Sequence, residues 1–384
     1  MSQTHYRACP LCEALCGIEI RLEGHEIASI RGDAADPFSR GHICPKAVAL
    51  KDLHEDPDRL RRPVEKVDGQ WRELGWEEAL DKAAAGLRAV QSARGDDAVG
   101  VYLGNPNAHN TGAILFGPML WRALKTRNKF SATSVDQLPH HLACWKLFGH
   151  QLRIPVPDID RTDFFLMLGA NPLASNGSIM TVPDVRNRLK AVQQRGRVVV
   201  IDPRRTETAQ LADSHHFIRP GSDVLLLLAM LHLLYAEDRI QPGAVAPLLD
   251  TEPEALRARF APYTPERVAP LIGIDAVAIR QLVTDFCAAE APVLYGRMGV
   301  SVQHFGALCQ YLILLFNILS GRLDTPGGLM FPQPAADHIA RAGRGSFDRV
   351  RSRVRGLPGF GGELPVSTLA EGILTGGDGQ IRAM

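Results

Sequence analysis

Cys9, Cys12 and Cys16 stand two and three residues apart, and Cys44 follows after a gap of 27 residues. Three thiolates at that spacing fit one compact loop around a metal centre, and a fourth from a distant segment closes the tetrahedron. Four thiolates suit either a [4Fe–4S] cluster or a structural zinc. Zinc usually takes two C-x2-C pairs, and the second pair is missing, so the three-plus-one pattern favours the cluster. Lys46, two residues after the last cysteine, can pass electrons outward if it stands between the cluster and a second redox group; otherwise it is a surface lysine.

These sulfurs need an element that returns Cys44 to the first three. Gly17–Glu23 alternates apolar and polar residues strictly, Glu26–Gly32 does so loosely, and Gly24 lies at the turn. That pattern predicts a β-hairpin. From about 160 to 300, apolar strands alternate with helices. Phe164–Leu168 ends at Gly169 and Asn171, Val198–Ile201 ends at Asp202, and Val293–Tyr295 leads into Gly296. A polar helix is expected over Asp184–Gln194, and an apolar helix over Asp223–Tyr235 with Ser222 as its cap. Buried strands alternating with helices predict a doubly wound parallel sheet, which binds ligands at the carboxyl ends of its strands. The expected fold is therefore α/β: an N-terminal Fe–S lobe with small antiparallel β structure, plus two α/β lobes. The lobes are expected at residues 1–60 (cluster), 161–300 (Rossmann-like, dinucleotide-contacting), and 61–160 with 301–384.

Composition supports a globular chain of two to three domains. It has 384 residues, 45% of them hydrophobic and 22% charged, with a net charge of +1. That balance argues against a nucleic-acid partner. No apolar run is long enough to insert in a membrane. The N-terminus has neither an apolar signal core nor paired arginines, so the expected location is cytoplasmic. Seven cysteines there read as ligands or buried thiols rather than disulfides. Cys287 and Cys309, on apolar helical stretches, read as core thiols.

Strand ends with polar residues mark the second place for chemistry. Asp202 can accept hydrogen bonds from a guanine or ribose, Arg204 can pair with a phosphate, and Thr206 and Thr208 offer hydroxyls nearby. The bland reading is a loop with a helix cap. Asp223 can contact a dinucleotide or simply favour a helix N-terminus. Asn105 and His109 follow the strand-like run Ala98–Leu103 and can face a ligand or be satisfied within their loop.

The cysteine motif with Pro45 and Lys46 behind it resembles the opening of the molybdopterin oxidoreductase family, which includes formate dehydrogenases, nitrate reductases and acetylene hydratase. Further segments agree in order: Arg61–Pro63, Trp71–Leu80, Gly169–Pro172, Asp202–Thr208, Arg219–Asp223 and Thr325–Gly328. The resemblance implies a [4Fe–4S] cluster on the four cysteines and a molybdenum or tungsten bis-pyranopterin guanine dinucleotide. It implies pterin or dinucleotide contacts at Asn105, Asn171, Asp202, Arg204, Thr206, Thr208, Gly221 and Asp223. In the family, the stretch after a Val-Asp pair carries the cysteine or selenocysteine that ligates the metal. Counting from Val135–Asp136, this chain has Leu142 there. Asp136, His140, His141 and Cys144 are nearby, and a metal bound only by its pterins and an oxygen is the other option. By residue type His140 and His141 are the acid/base candidates, since histidine titrates near neutral pH. Arg297, Gln303 and His304 follow a strand and are secondary candidates for lining a substrate funnel.

The expected activity is two-electron oxidation or reduction of a small-molecule substrate, with electrons passing by Lys46 and the cluster to an electron-transfer protein or subunit. A hydratase on the same scaffold and an Fe–S subunit that has lost its molybdenum site are the alternatives. Family members are longer and end in a further dinucleotide-covering domain. The run Gly379–Met384 looks like a strand beginning, which suggests a truncated product.

Overall fold

The computed structural model describes residues 2–334, 337, 339–340 and 343–384. The chain forms two compact units: residues 1–134 with 346–384, and residues 135–345. No helix among the described residues is long and apolar enough to cross a membrane.

The first unit begins with the predicted hairpin. Gly17–Glu23 pairs antiparallel with Glu26–Gly32, and Gly24 turns with φ +65°. A third strand, Ser2–Ala8, was not foreseen; it pairs along Gly17–Glu23 through all seven residues. Its side chains are almost all exposed, so backbone pairing forms it and no hydrophobic pattern announces it. The rest of this unit holds the helices Trp76–Arg94 and Thr111–Leu124 and the parallel pair Val101–Leu103 with Lys129–Ser131. Two hairpins complete it, Val64–Val67 with Gln70–Glu73 and Phe347–Arg351 with Pro358–Phe360. Ala383, in the run that reads as a strand beginning, makes one parallel bridge to Val99.

The second unit is built on a four-stranded parallel sheet. Its spatial order is Ser214–His216, Arg197–Ile201, Phe164–Leu168, Pro292–Gly296. The last two strands are buried at every residue. Alternation divides them between two cores. Phe164, Leu166, Leu168, Val199, Ile201 and Leu294 face one layer of helices, whereas Phe165, Met167, Val198, Val200, Val293 and Tyr295 face the other. A sheet covered on both faces is doubly wound, as expected. Each such side chain contributes about 1.5–3 kcal/mol on burial, which is why the runs are apolar without a polar gap.

Two expectations need correction. The lobe boundary expected near 300 falls inside this unit. Helix Gly306–Leu319 is buried along most of its length, with Leu312, Ile313 and Phe316 in the core on one face and Leu314 and Ile318 in the core on the other. It packs against helix Leu138–Phe148, which the sequence reading had also assigned elsewhere. Ser222 holds the cap position of helix Asp223–Ala236 but does not cap it, because its hydroxyl donates to the Arg219 carbonyl at 2.6 Å. The polar helix runs Val185–Arg195 with Asp184 before it.

The chain lays down Phe164–Leu168 first, moves outward to Arg197–Ile201 and Ser214–His216, and returns to the opposite side for Pro292–Gly296. The order therefore reverses between Phe164–Leu168 and Pro292–Gly296, the kind of switch point at whose carboxyl ends doubly wound sheets bind ligands. The turns leaving these strands cross at glycines. Gly299 N–H donates to the Gly169 carbonyl at 2.9 Å, and a Cβ on Gly299 would stand 2.7 Å from Gly169 Cα. We expect Gly299→Ala to lower unfolding free energy by about 1–3 kcal/mol in a denaturant titration. Gly221→Ala serves as control: φ is +80° there but nothing lies within 4 Å, so only backbone strain of roughly 1 kcal/mol should register.

Candidate functional site

The cysteine loop is closed by the sheet beneath it. Ala8 pairs with Gly17, and Cys9 N–H donates to the Cys16 carbonyl at 2.8 Å, so the whole loop hangs from one end of a ladder. The return segment is fixed by hydrogen bonds. Gly17 N–H donates to Ser39 Oγ at 3.0 Å, and Asp36 accepts from both the backbone and the hydroxyl of Ser39 at 2.6 Å. Those bonds, from the Ser39 hydroxyl first, hold the Asp36 carboxyl below its usual range. Gly32 lets the Gly41 carbonyl approach to 1.9 Å of where a Cβ would be, and Cys44 then heads the short helix Pro45–Val48. The sequence reading missed Asp36 and Ser39; a short-range Asp-x2-Ser turn was the available signal.

Cys9 and Cys16 are buried, and Cys12 and Cys44 are half-buried. Burial first, then the charges of Cys12, Cys9 and Cys44, pushes the Cys16 thiol up to about 11. Cys9 is raised by the same causes and slightly relieved by Lys46. The charges of the other cysteines reach Cys9 and Cys16, a repulsion between thiolates that a positive metal centre relieves. Among the described residues no three Cys, His, Asp or Glu side chains converge closely enough to hold a single ion. Zinc draws its sulfurs to about 2.3 Å of one point, whereas a four-iron cube spreads them. The donor set fits the cluster. Lys46 is exposed, one residue beyond the Pro45 that follows Cys44.

In the second unit the strand-end residues divide into two groups. Asn171, Thr206 and Thr208 are engaged inside the fold. Thr208 Oγ donates to Asn171 Oδ1 at 2.7 Å, Asn171 Nδ2 donates to Glu207 at 2.7 Å, and Thr206 Oγ caps helix Glu207–Leu211 by accepting from Ala209 N–H at 3.1 Å. The two threonine hydroxyls are not offered outward, contrary to expectation: Thr208 with Asn171 ties the two strand ends together, and Thr206 caps its own helix. Arg204 and Gly221 are exposed, and Asp202 is half-buried with one carboxylate oxygen closing a turn on Arg204 N–H. Asp223 is 5% exposed, and burial raises its carboxyl; Gln303 Nε2 donates to it at 3.0 Å, and the Asp202 charge reaches it. Two carboxylates and an arginine so placed suit a donor-rich base and a phosphate. In the first unit, Asn105 is exposed at the end of Val101–Leu103, and both ring nitrogens of the nearby His109 are dry and without partners.

His140 and His141 lie in the first turns of helix Leu138–Phe148, at 3% and 5% exposure. Burial, the other imidazole and the Arg297 charge hold His140 down at about 3; burial and then Arg297 hold His141 at about 4. Both are therefore neutral at physiological pH. The environment differs from the one titration near neutrality assumes, because two buried imidazoles sit in the field of a guanidinium. His140 Nδ1 and His141 Nε2 have no hydrogen-bond partner. Arg297, directly after Gly296, is 8% exposed; its Nη2 donates to Gln137 at 3.3 Å and lies 3.5 Å from Asp136, while Nε and Nη1 are unpartnered. Residue type alone marked Arg297 as secondary; its burial makes it central. Cys144 is fully buried, with its thiol pushed up to about 12, and belongs to the core. His304 is exposed against Phe305. A cavity of about 860 Å³ beside Phe148, Tyr311 and Phe331 contains none of these residues.

Comparison with known proteins adds independent findings. Residues 3–54 match the molybdopterin oxidoreductase Fe4S4 domain, and residues 59–245 match the molybdopterin oxidoreductase family. A nitrate reductase of Symbiobacterium thermophilum is 26% identical over 354 residues, covering 88% of this chain and 46% of that one. Formate dehydrogenase H of Escherichia coli is 27% identical, covering 87% and 47%. The menaquinone reductase molybdopterin-binding-like subunit of Nitratidesulfovibrio vulgaris is 29% identical, covering 87% and 46%. Acetylene hydratase from Pelobacter acetylenicus superposes with a TM-score of 0.68 at 21% identity over 82% of this chain and 43% of that one. The chain spans about half the length of the curated relatives it matches.

Proposed function

Because this chain belongs to the molybdopterin oxidoreductase family, we propose that it is the cluster- and pterin-binding part of an oxidoreductase that moves two electrons to or from a small-molecule substrate. The observation that supports this is the set of four cysteines, three on the loop at one sheet end and Cys44 at the head of a short helix, whose charges reach Cys9 and Cys16, in a chain whose parallel sheet presents Asp202, Arg204 and Asp223 at its carboxyl edge. When bound, the metal supplies Lewis-acid and two-electron chemistry, and the cluster supplies a one-electron relay to an electron-transfer protein or subunit.

The chain's own residues have separate tasks. Cys9, Cys12, Cys16 and Cys44 hold the cluster, and Lys46 provides a positive charge whose field already reaches Cys9. Asp202 and Asp223 accept from a guanine or ribose, and Arg204 pairs with a phosphate. Asn105 and His109 face the pterin. Asn171 and Thr208 hold the two strand ends together beneath the nucleotide through their side chains, and Thr206 caps helix Glu207–Leu211. His140 and His141 are neutral hydrogen-bond donors or acceptors rather than proton shuttles. Anaerobically purified chain should contain iron and sulfide and release guanine nucleotide on denaturation. One zinc and no nucleotide would overturn this reading.

A hydratase is the second reading, favoured by Leu142 at the position where the family places its metal-ligating cysteine or selenocysteine. Turnover assays with artificial electron acceptors separate the two. An oxidoreductase requires an acceptor or donor dye, and a hydratase proceeds without either.

A further inference from the structure

We propose that the cavity beside Phe148, Tyr311 and Phe331 is a second small-molecule site, which takes a neutral aromatic compound carrying a ring hydroxyl. The cavity measures about 860 Å³, and every residue lining it belongs to the second unit. That volume lies within the range of small-molecule pockets, roughly 300–1,000 Å³. It stands apart from the residues assigned above to cofactor and metal. No lining residue comes from the turns that follow Leu168, Ile201 or Gly296. Phe148 ends the helix that His140 begins, about 12 Å further along its axis at 1.5 Å per residue.

The lining is apolar and aromatic, with one open donor. The buried Ile154, Ile318 and Leu323 contribute aliphatic surface. Phe148 and Phe331 meet edge to face with ring centroids 5.1 Å apart, so each ring holds the other in place. Tyr311 is half-buried, and its hydroxyl has no hydrogen-bond partner among the described residues. Tyr235 and Tyr295 of the same unit are satisfied, by the Pro253 and Gly177 carbonyls. Burial first, then the Asp250 charge, raises the Tyr311 phenol, so it stays protonated and able to donate. A pocket of apolar walls with a few converging polar groups is the usual form of a small-molecule site.

Charge and hydrogen bonding select the ligand. Lys146 and Arg153 line the cavity, but so do Asp250, Asp324 and Asp337, so neither sign of charge is favoured. Lys146 is already placed over the Trp145 ring at 5.0 Å. Asp324 and Asp337 accept from the backbone N–H groups of Phe331 and Ile339 at 3.3 and 2.9 Å. An ion would be desolvated there beside charges of its own sign, a cost that a neutral molecule avoids. One carboxylate oxygen of Asp250 accepts from the Thr251 hydroxyl at 3.3 Å, which leaves the other as an acceptor. A ring hydroxyl can accept from Tyr311 and donate to Asp250. A bare hydrocarbon answers neither group, and a flat ring packs on the Phe148 and Phe331 rings better than an aliphatic chain does.

This site does not rest on the oxidoreductase reading, and its test reads binding alone. Equilibrium dialysis of the full chain at neutral pH against 2-naphthol, naphthalene and 2-naphthoate compares a ring bearing a hydroxyl, the bare ring and the ring bearing a charge. We expect 2-naphthol to bind saturably at about one per chain and several-fold more tightly than either of the others. Tyr311→Phe should weaken 2-naphthol by about fivefold, the loss of one hydrogen bond, and leave naphthalene unchanged. Its melting temperature should match that of wild type, because the hydroxyl removed has no partner in the fold. Leu249→Trp, which fills the cavity from a half-buried position, should weaken 2-naphthol and naphthalene together by about tenfold or more. Should Leu249→Trp fail to fold, Leu248→Asp sets a charge at a lining residue that is 81% exposed and should weaken both rings. Absence of saturable binding, naphthalene bound as tightly as 2-naphthol, or equal 2-naphthol affinity in Tyr311→Phe overturns the proposal. Tighter binding of 2-naphthoate overturns it as well, since the site would then select an anion. Iron and nucleotide analysis of the same preparation reports separately on the oxidoreductase reading.

Discussion

Cys16→Ser is expected to abolish the visible iron–sulfur absorbance of anaerobically purified protein and to drop its iron content from about four per chain toward zero. Cys16 has the greatest effect of the four for a physical reason. It closes the loop through its carbonyl bond to Cys9 N–H, and its thiol, pushed up to about 11 by burial and by the other cysteines, is the one least able to ionise without the metal. A serine hydroxyl ionises far less readily still. Cys44→Ser should be milder, because Cys44 is half-buried and heads a short helix on a separate segment, where water can take the vacant position. The comparison is read by iron and acid-labile sulfide per chain. Equal retention of iron in Cys16→Ser and wild type would remove Cys16 from the ligand set. Cys287→Ser, at a thiol on helix Ala276–Ala288, is the control expected to change nothing in the spectrum.

Acidification should destabilise the second unit steeply, through two histidines. In the unfolded chain both titrate near 6.5; in the fold His140 is held at about 3 and His141 at about 4, chiefly by burial. Folded-state values below the unfolded one mean that the unfolded chain takes up protons first. The stability that neutral His140 and His141 provide is complete above pH 6.5 and is lost as pH falls toward 4 and then 3. Within that window unfolding takes up about one proton per histidine, so the pair steepens the loss of stability as pH falls below the unfolded value and the effect tapers as pH nears the folded ones. Denaturant unfolding of cofactor-free protein at a series of pH values measures this. His140→Gln should remove about half of the slope and His140→Gln/His141→Gln nearly all of it. An unchanged slope in the double variant would mean that other groups drive acid unfolding.

The hairpin and the parallel strands were legible because each signal is local. Gly17–Glu23 alternates because one face of a small sheet is covered, and Phe164–Leu168 is uniformly apolar because both faces are. Strand Ser2–Ala8 was not legible, since its pairing is a backbone event with exposed side chains. Helix Gly306–Leu319 was legible as a helix but not as a member of the sheet's own unit, because an apolar surface does not name the surface it meets. The ion pair of Arg127 with Asp97 in the first unit joins residues 30 positions apart and leaves no periodic trace.

The amino-acid sequence by itself determined the α/β class and the family, and it singled out four cysteines as candidate cluster ligands, since cysteine spacing and strand-end residues act through short stretches of chain. Tertiary structure decided which polar residues remain open. Asn171, Thr206 and Thr208 look available in sequence and are bound to the fold. His140 and His141 look titratable and are held neutral, and Arg297 looks peripheral and lies buried with two nitrogens unanswered. The reason is that hydrogen-bond satisfaction and desolvation depend on what distant segments bring to a side chain, and residue type carries no record of that.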